Sequence, residues 1–155
     1  MSVQAPDSTL VIRWLSAQDA DLAQVATELN ASDSEISIKG FSESSLRDFL
    51  GSGNRFYVAA YVNDTLAGAT HGYRLLHPTG ITYWYIDEVD TLVAYRRQGV
   101  ATAMMKAVLE AAAADGANEV WLGADDDNPD AKAFYQTLKP TEVDDGTIYS
   151  WKVKQ

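Results

Sequence analysis

The sequence predicts an α+β fold, in which a mixed, largely antiparallel sheet carries about four helices. Residues 55–62 and 66–76 are rich in strand-forming side chains and predict a hairpin across Asn63-Asp64-Thr65. A third strand is predicted at residues 81–91, and an Ala-rich helix follows at residues 100–114. Consecutive antiparallel strands that lead into a helix are typical of an α+β architecture.

The segment before the hairpin predicts a strand and two helices. Residues 9–15 alternate apolar and polar side chains, as expected for a peripheral strand. Ser16 or Asp19 is a candidate N-cap of the first helix. One face of that helix is apolar and consists of Leu22, Val25, Ala26 and Leu29. Ser42 is predicted to cap a second helix over residues 42–50.

The segment after the Ala-rich helix predicts two further strand regions and the last helix. Residues 119–123 form a short strand that pairs parallel with the 81–91 strand, if the connection is a right-handed crossover. Asn128-Pro129 is expected to open the last helix, because proline suits the first helical turn. Residues 141–143 and 147–153 predict a closing hairpin.

Length and composition indicate one soluble domain over residues 1–155, with residues 1–8 as a loose tail. No run of ~18 apolar residues predicts a membrane span, and the N-terminus lacks the features of a secretory signal. The chain has no cysteine, which excludes disulfides, thiolate metal sites and cysteine catalysis. A cytoplasmic location is the default expectation.

The charge of the chain restricts its partners. Twelve basic and 22 acidic residues give a net charge of −10, which argues against nucleic acid as a partner. Two acidic clusters stand out, one at residues 87–90 and one at residues 125–127. Acidic residues around a pocket would attract a cationic substrate.

The turn Arg96-Arg97-Gln98-Gly99 joins the third strand to the Ala-rich helix. Unpaired backbone N–H groups and the positive end of the helix dipole meet at such a helix N-terminus. Gly99 allows close backbone approach, and the two arginines add positive charge. The turn therefore predicts an anion site.

Arg96-x-x-Gly99-x-Ala101 resembles the pyrophosphate-binding loop of the GNAT family of N-acetyltransferases. The predicted order of strands and helices matches that family along nearly the whole chain. The resemblance implies a layered α/β/α fold, with a parallel strand pair that splays apart at the centre of the sheet, and acetyl-CoA as co-substrate. It assigns CoA binding to Leu92, Val93, Arg96, Arg97, Gln98, Gly99, Val100, Ala101 and Thr102. Backbone N–H groups near residues 91–93 are the expected oxyanion donors.

A second family signature lies in the last helix, where Asn128-x-x-Ala131-x-x-Phe134-Tyr135 resembles the run beneath the pantetheine arm. The resemblance implies that Asn128 hydrogen-bonds the pantetheine and that Tyr135 assists the leaving thiolate. The local alternative is an N-cap and an apolar helix stripe. The family continues with Leu-Gly-Phe, whereas this chain has Leu138-Lys139-Pro140.

The third strand supplies the candidates for a general base. Strict alternation puts Trp84, Ile86, Glu88 and Asp90 on one face and Asp87 on the other. Glu88 is the first choice and Asp90 the second. Asp87 ranks third because of its face. Acids in a central strand are costly without a role or a partner.

Within the family, the chain is most similar to the type I aminoglycoside 3-N-acetyltransferases. The likeness rests on residues 85–91, on residues 96–103 and on Ala124-Asp125-Asp126-Asp127-Asn128-Pro129. It places the family's strand aspartate at Glu88. The resemblance implies direct acetyl transfer to a cationic amine, with an aminoglycoside as the leading expectation.

Other interpretations remain beside this one. Asp125, Asp126 and Asp127 either hold the substrate or form an acidic loop that caps the last helix. His71 and His77 lack metal-ligand spacing and are expected to be ordinary strand or turn residues, so no metal is predicted. The acceptor could be a polyamine, an amino-acid derivative or a protein lysine, and a non-catalytic acyl-CoA sensor would share the fold. Dimers are common in the family, so a homodimer is allowed.

Overall fold

The structure, a computed structural model, describes residues 9–32 and 39–154 of the chain. Within these residues the strands are β1 (Leu10–Trp14), β2 (Arg55–Val62), β3 (Thr65–Leu76), β4 (Thr82–Thr91) and β5 (Glu119–Trp121). They form one five-stranded sheet in the order β1-β2-β3-β4-β5. The pairs up to β4 are antiparallel, and β4 pairs parallel with β5. The predicted mixed, largely antiparallel sheet is confirmed.

The described part of the chain contains four α-helices, as predicted. They are α1 (Leu22–Ala31), α2 (Glu43–Gly51), α3 (Val100–Ala114) and α4 (Pro129–Thr137). A single 3₁₀ turn, Val93–Tyr95, lies between β4 and α3. The expected tail, residues 1–8, lies outside the described residues.

The two helix caps differ in how well they were predicted. Ser42 caps α2 as expected, because its Oγ accepts a hydrogen bond from the Ser45 N–H at 3.0 Å. The cap predicted for α1 is wrong, because α1 follows Asp21 without a side-chain capping bond. Asp19 and Asp21 instead bind the Arg13 guanidinium at 3.0 Å and 2.6 Å. Their carboxylates are thereby used for a tertiary contact.

The residues up to Gly123 form one compact unit around the sheet. One face of the sheet, which includes Tyr57 and Ala69, packs against Leu46 of α2 and three residues of α1: Val25, Ala26 and Leu29. A Cβ placed on the neighbouring Gly68 would lie 3.1 Å from Val100 and from Met104 of α3. Because Gly68 and Ala69 point to opposite faces, α3 covers the other side of the sheet.

The residues from Ala124 onward form a second unit, in which α4 is the helix. The predicted closing hairpin is wrong, because residues 139–154 contain neither helix nor strand. Their apolar side chains are largely exposed: Val143, Ile148, Tyr149, Trp151 and Val153. Alternating apolar residues favour a strand, but a strand forms only where a partner accepts its backbone hydrogen bonds and its apolar face. No helix among the described residues is both long enough and apolar enough to span a membrane.

Candidate active site

β4 carries one extra residue at Asp87, where its pairing with β3 shifts register. His71 lies opposite Glu88, whereas the next residue of β3, Gly72, lies opposite Ile86. Asp87 is therefore left without a cross-strand partner. Such a bulge bends the strand and changes the face to which the following side chains point.

The bulge makes the predicted face assignment wrong. Trp84 and Ile86 are buried, and both pair with even-numbered residues of β3. Glu88 and Asp90 pair with odd-numbered residues of β3. Because consecutive residues of a strand point to opposite faces, Glu88 and Asp90 lie on the face opposite to Trp84 and Ile86. Strict alternation fails because one inserted residue reverses it.

The bulge also brings Glu88 to the same histidine as Asp87. His71 Nε2 lies 3.2 Å from Asp87 Oδ2, and His71 Nδ1 lies 3.9 Å from Glu88 Oε2. The Tyr85 hydroxyl donates a 3.3 Å hydrogen bond to the other oxygen of Asp87. Burial, and then the charge of Asp87, raise the pKa of the Tyr85 hydroxyl, so it keeps the proton that it donates. The imidazole thus lies between two carboxylates.

Aromatic rings fix the orientation of this histidine. The Tyr57 ring stacks on His71 with centroids 5.4 Å apart and planes 10° apart. Phe49 of α2 meets the imidazole edge-on at 5.8 Å. A cavity of about 180 Å³ opens beside these rings and is lined by Phe41, Ser45, Leu46, Phe49, Tyr57 and His71.

The carboxylates influence the Tyr57 hydroxyl. Burial, and then the charges of Glu88 and Asp90, raise the pKa of Tyr57 well above its usual range, so the phenol stays protonated. Asp90 Oδ2 is buried and has no hydrogen-bond partner among the described residues. An unpaired buried carboxylate oxygen is costly and is often explained by a function.

The expected CoA loop has the backbone of an anion site. Gly99 is the N-cap of α3 and has a φ of +81°, in the left-handed region that favours glycine. A Cβ at Gly99 would meet no atom within 4 Å, so the backbone is uncrowded on that side. The first N–H groups of α3, at Val100, Ala101 and Thr102, have no carbonyl partner within the helix. The Val100 side chain itself is buried.

The side chains of the loop divide into two groups. Arg96 Nε donates to the Thr91 carbonyl at 3.2 Å, and Gln98 Nε2 donates to the Ala94 carbonyl at 3.0 Å. These two residues therefore brace the turn. Arg97 is exposed and has a φ of +61°. Its exposed side chain is accessible to an anion in solvent.

The expected backbone donors near β4 are partly used within the fold. The Leu92 N–H donates to the Ala67 carbonyl at 2.8 Å, and the Leu92 carbonyl accepts from the Tyr95 N–H at 2.9 Å. The Val93 carbonyl accepts from the Arg96 N–H at 3.4 Å. The Leu92 N–H is thus engaged in the sheet and is not a free oxyanion donor.

In the second unit, the two residues singled out from the sequence lie on α4. Asn128 is the N-cap, and its Oδ1 accepts from the Ala131 N–H at 3.0 Å. This bond leaves the two N–H donors of the Asn128 amide for other partners. Tyr135 is partly buried, and burial raises the pKa of its hydroxyl. The phenol is therefore protonated at neutral pH.

The acidic run before α4 is exposed. Asp126 forms a 2.8 Å salt bridge with Lys132, and the Asp125 carbonyl accepts from the Asn128 N–H at 3.0 Å. The run therefore takes part in the start of α4. The Lys132 partner holds the pKa of Asp126 below its usual value.

The two histidines have different surroundings. His77 Nδ1 lies 2.7 Å from the Thr79 hydroxyl in the exposed β3–β4 turn, as expected for a turn residue. In the part of the chain that the structure describes, no group of three or more His, Cys, Asp or Glu side chains could hold a metal.

His71 is the residue that the sequence alone did not identify as part of the site. The β3–β4 turn pairs Leu76 with Thr82. Counting outward from this pair puts His71 opposite Asp87, and the bulge then moves it opposite Glu88. Hairpin register was therefore the signal that could have placed it near the acids.

Comparison with known proteins identifies the fold. A family model described as "Acetyltransferase (GNAT) family" matches residues 22–139. A search of curated proteins returned no match. The predicted resemblance to this family is confirmed.

Solved structures share the fold at low identity. Aminoglycoside acetyltransferase meta-AAC0020, from an uncultured soil metagenomic sample and in complex with sisomicin, has a TM-score of 0.77 and 20% identity, over 94% of this chain and 97% of that chain. Aminoglycoside N-acetyltransferase AAC(6')-Iy in complex with CoA has a TM-score of 0.76 and 14% identity, over 97% and 99%. Ribosomal-protein-alanine N-acetyltransferase from Brucella melitensis biovar Abortus 2308 has a TM-score of 0.68 and 18% identity, over 93% and 100%.

Proposed function

Because the chain belongs to the GNAT family of acetyltransferases, we propose that it transfers the acetyl group of acetyl-CoA directly to an amine of a cationic small molecule. The leading candidate is an aminoglycoside, acetylated at the 3-N position. The observation that carries the proposal is the bulge at Asp87. It brings Asp87 and Glu88 to the His71 side chain, which lines a cavity. The family match runs across both units, so we treat residues 1–155 as one acetyltransferase domain.

The N-terminus of α3 is the proposed site for the pyrophosphate of CoA. The backbone at Gly99 is uncrowded on the side of a Cβ, and Arg97, two residues earlier, is exposed. A diphosphate at this position would accept hydrogen bonds from the first backbone N–H groups of α3 and would be stabilised by the helix dipole. The thioester that CoA carries supplies the activated acetyl group.

Glu88 is the proposed general base. Its carboxylate is 35% exposed, so it can reach an amine that enters from solvent and can take the proton directly or through one water. Asp90 is the alternative, supported by its unpaired buried oxygen. Deprotonation makes the amine nitrogen a nucleophile for the acetyl carbonyl carbon. The resemblance implies no acyl-enzyme, in agreement with a chain that has no cysteine.

Tyr135 is the proposed partner of the leaving thiolate, on the strength of the family motif. Its raised pKa keeps the phenol protonated, so the hydroxyl can donate a hydrogen bond or a proton to sulfur. The Asn128 amide N–H groups, which the helix cap leaves unused, would bind the pantetheine.

Carboxylates suit a cationic acceptor. A pair of unit charges ~4 Å apart is worth about 4 kcal/mol at an effective dielectric of 20, before desolvation is subtracted. The same acids raise the pKa of the amine, which opposes deprotonation. We therefore propose that Glu88 takes the proton from the amine and that Asp125 and Asp127 bind the cationic substrate. Asp126 has a smaller share, because Lys132 already pairs with it.

The choice of an aminoglycoside rests on two supports. The loop and strand of this chain are similar to those of type I aminoglycoside 3-N-acetyltransferases. In addition, the structure of the similar protein meta-AAC0020 contains sisomicin. The same chemistry on a polyamine, an amino-acid derivative or a protein lysine is the nearest alternative, since the fold is also similar to a ribosomal-protein-alanine N-acetyltransferase.

The experiment is a thiol-release assay with acetyl-CoA and three acceptor classes: aminoglycosides, polyamines and basic peptides. Calorimetry with acetyl-CoA alone is run alongside. We expect turnover with aminoglycosides and acetylated product by mass spectrometry. Turnover with another class would keep the transfer chemistry and replace the acceptor. Acetyl-CoA binding without any turnover would favour a non-catalytic acyl-CoA sensor instead.

A further inference from the structure

We propose that His71 relays the proton that Glu88 removes from the acceptor amine, and passes it through Asp87 to solvent. This inference rests on the proposed function and adds a positioning residue to it. Three side chains form the route, in the order Glu88, His71 and Asp87. The His71 ring lies 3.9 Å from a Glu88 oxygen through Nδ1 and 3.2 Å from an Asp87 oxygen through Nε2.

The imidazole is held so that each nitrogen faces one carboxylate. Tyr57 stacks on one face of the ring, and Phe49 contacts it edge-on. The Nε2–H group donates to Asp87, and this tautomer leaves the Nδ1 lone pair toward Glu88. The ring is 18% exposed, so a rotation away from the carboxylates would displace the packing of both aromatic rings.

Asp87 is the end of the route from which the proton leaves to solvent. Its side chain is 40% exposed, whereas that of His71 is less than half as exposed. The Tyr85 hydroxyl donates to Asp87 Oδ1 and leaves Oδ2 for the histidine. The bulge is the reason that Glu88 reaches His71 as well as Asp87, since a regular strand would put Asp87 opposite His71 and turn Glu88 to the other face.

The transfer is balanced within the three side chains. The amine N–H bond breaks, and its proton forms an O–H bond on Glu88. That O–H bond breaks as an N–H bond forms at His71 Nδ1, and the Nε2 proton then moves to Asp87 Oδ2 and on to water. Each carboxylate is restored, and the imidazole is left neutral as the Nδ1–H tautomer. It returns to the Nε2–H tautomer when Nδ1 releases a proton to water and Nε2 takes one from water, with no net change in protons. The 3.9 Å gap requires a small movement of the Glu88 carboxyl, as is common for sites without bound substrate.

The test compares the only two histidines of the chain. We expect His71→Gln to lower kcat at least ~10-fold with KM within about two-fold, because the relay acts after the amine has bound. The control, His77→Gln, lies in the exposed turn and should leave both constants unchanged. A His71→Gln enzyme with kcat within about two-fold of wild type would overturn the relay.

Chemical rescue separates a relay from a structural role. Imidazole added to His71→Ala should restore part of kcat, because the cavity beside the residue opens where the ring is removed. Loss of kcat that imidazole does not restore would overturn the relay.

Should His71→Ala unfold below the assay temperature, the Asp87→Asn variant decides. A kcat loss of at least ~10-fold in this variant supports the relay, and a kcat within about two-fold of wild type contradicts it. A wild-type chain without turnover on any amine contradicts the proposed function and the relay together, whereas active wild type with active His71→Gln contradicts the relay alone.

Discussion

Gly72 and Tyr85 approach so closely that a Cβ on Gly72 would overlap the Tyr85 carbonyl oxygen. The same Cβ would lie 2.8 Å from the Phe56 ring. Gly72 stands beside His71, at the point where the register with β4 shifts. This glycine therefore permits the bulge that gives Asp87 and Glu88 a common neighbour.

Gly72→Ala is expected to destabilise the protein by about 1–3 kcal/mol, the usual range for an overpacked interior. The expected fall in Tm is several degrees for a domain of this size. Gly51→Ala is the matched control, because its Cβ would lie 3.9 Å from the nearest atom and alanine favours a helix. Thermal unfolding of the two variants checks the prediction. Equal Tm values for Gly72→Ala and Gly51→Ala would contradict the prediction that the close approach of Gly72 to Tyr85 excludes a Cβ.

Arg97→Gln is expected to weaken acetyl-CoA binding at least ~10-fold at low ionic strength, which corresponds to about 1.4 kcal/mol. The reason is the loss of an exposed charge beside the N-terminus of α3. The effect should shrink as salt screens the pair. Calorimetry at low and high ionic strength measures it. Lys106→Gln, on α3, controls for the change in net charge. An equal loss of acetyl-CoA affinity in Lys106→Gln would mean that the loop has no special role.

Tyr135→Phe is expected to lower kcat at least ~10-fold and to leave acetyl-CoA affinity within about two-fold. Burial raises the pKa of Tyr135 above its usual value, so its proton is retained through the neutral range. The exposed Tyr149 in the same unit provides the control variant, Tyr149→Phe. An unchanged kcat in Tyr135→Phe would contradict the proposal that Tyr135 is the partner of the leaving thiolate.

Asp115 is expected to make part of the free energy of unfolding sensitive to acid. Trp84 Nε1 and Arg74 Nε donate to its Oδ2 at 2.9 Å and 2.7 Å, and these bonds hold the pKa of Asp115 below its usual value. A carboxyl group whose pKa is lower in the folded than in the unfolded chain stabilises the fold when it is ionised. This stabilisation is complete above the pKa of the unfolded chain, about 3.9, and is lost as the pH falls through the pKa of the folded state.

Asp115→Asn should therefore lower Tm at neutral pH, and the difference from wild type should shrink as the pH falls below about 4. Melting curves over a pH series measure this difference. Glu110→Gln, exposed on α3, which ends just before Asp115, is the control and should leave Tm nearly unchanged. A gap between Asp115→Asn and wild type that is constant with pH would contradict the assignment.

Local pattern was enough to predict most of the fold. The Ser42 cap, the proline start of α4 and the glycine before α3 each identify an element boundary from a few neighbouring residues. The apolar spacing of residues 22–29 correctly identified the buried face of α1. These features depend on contacts within one or two helical turns, which the sequence displays directly.

The site was less predictable, because it depends on contacts between strands. Alternation along β4 assumes an uninterrupted pleat, and the bulge at Asp87 depends on Gly72 of another strand. Residues 141–153 have a strand-like pattern, but a partner edge decides whether such a pattern becomes a strand. The contacts of His71 with the acids could not be derived from its own neighbours in the sequence, since both carboxylates come from β4.

The most direct measurement is single-turnover CoA release by wild type and Glu88→Gln with an accepted amine, with the acetylated product identified by mass spectrometry. The proposal predicts that Glu88→Gln lowers the rate at least ~100-fold, the scale of a lost general base, while acetyl-CoA affinity stays within about two-fold. A Glu88→Gln rate equal to that of wild type would contradict the role of Glu88 and would pass it to Asp90.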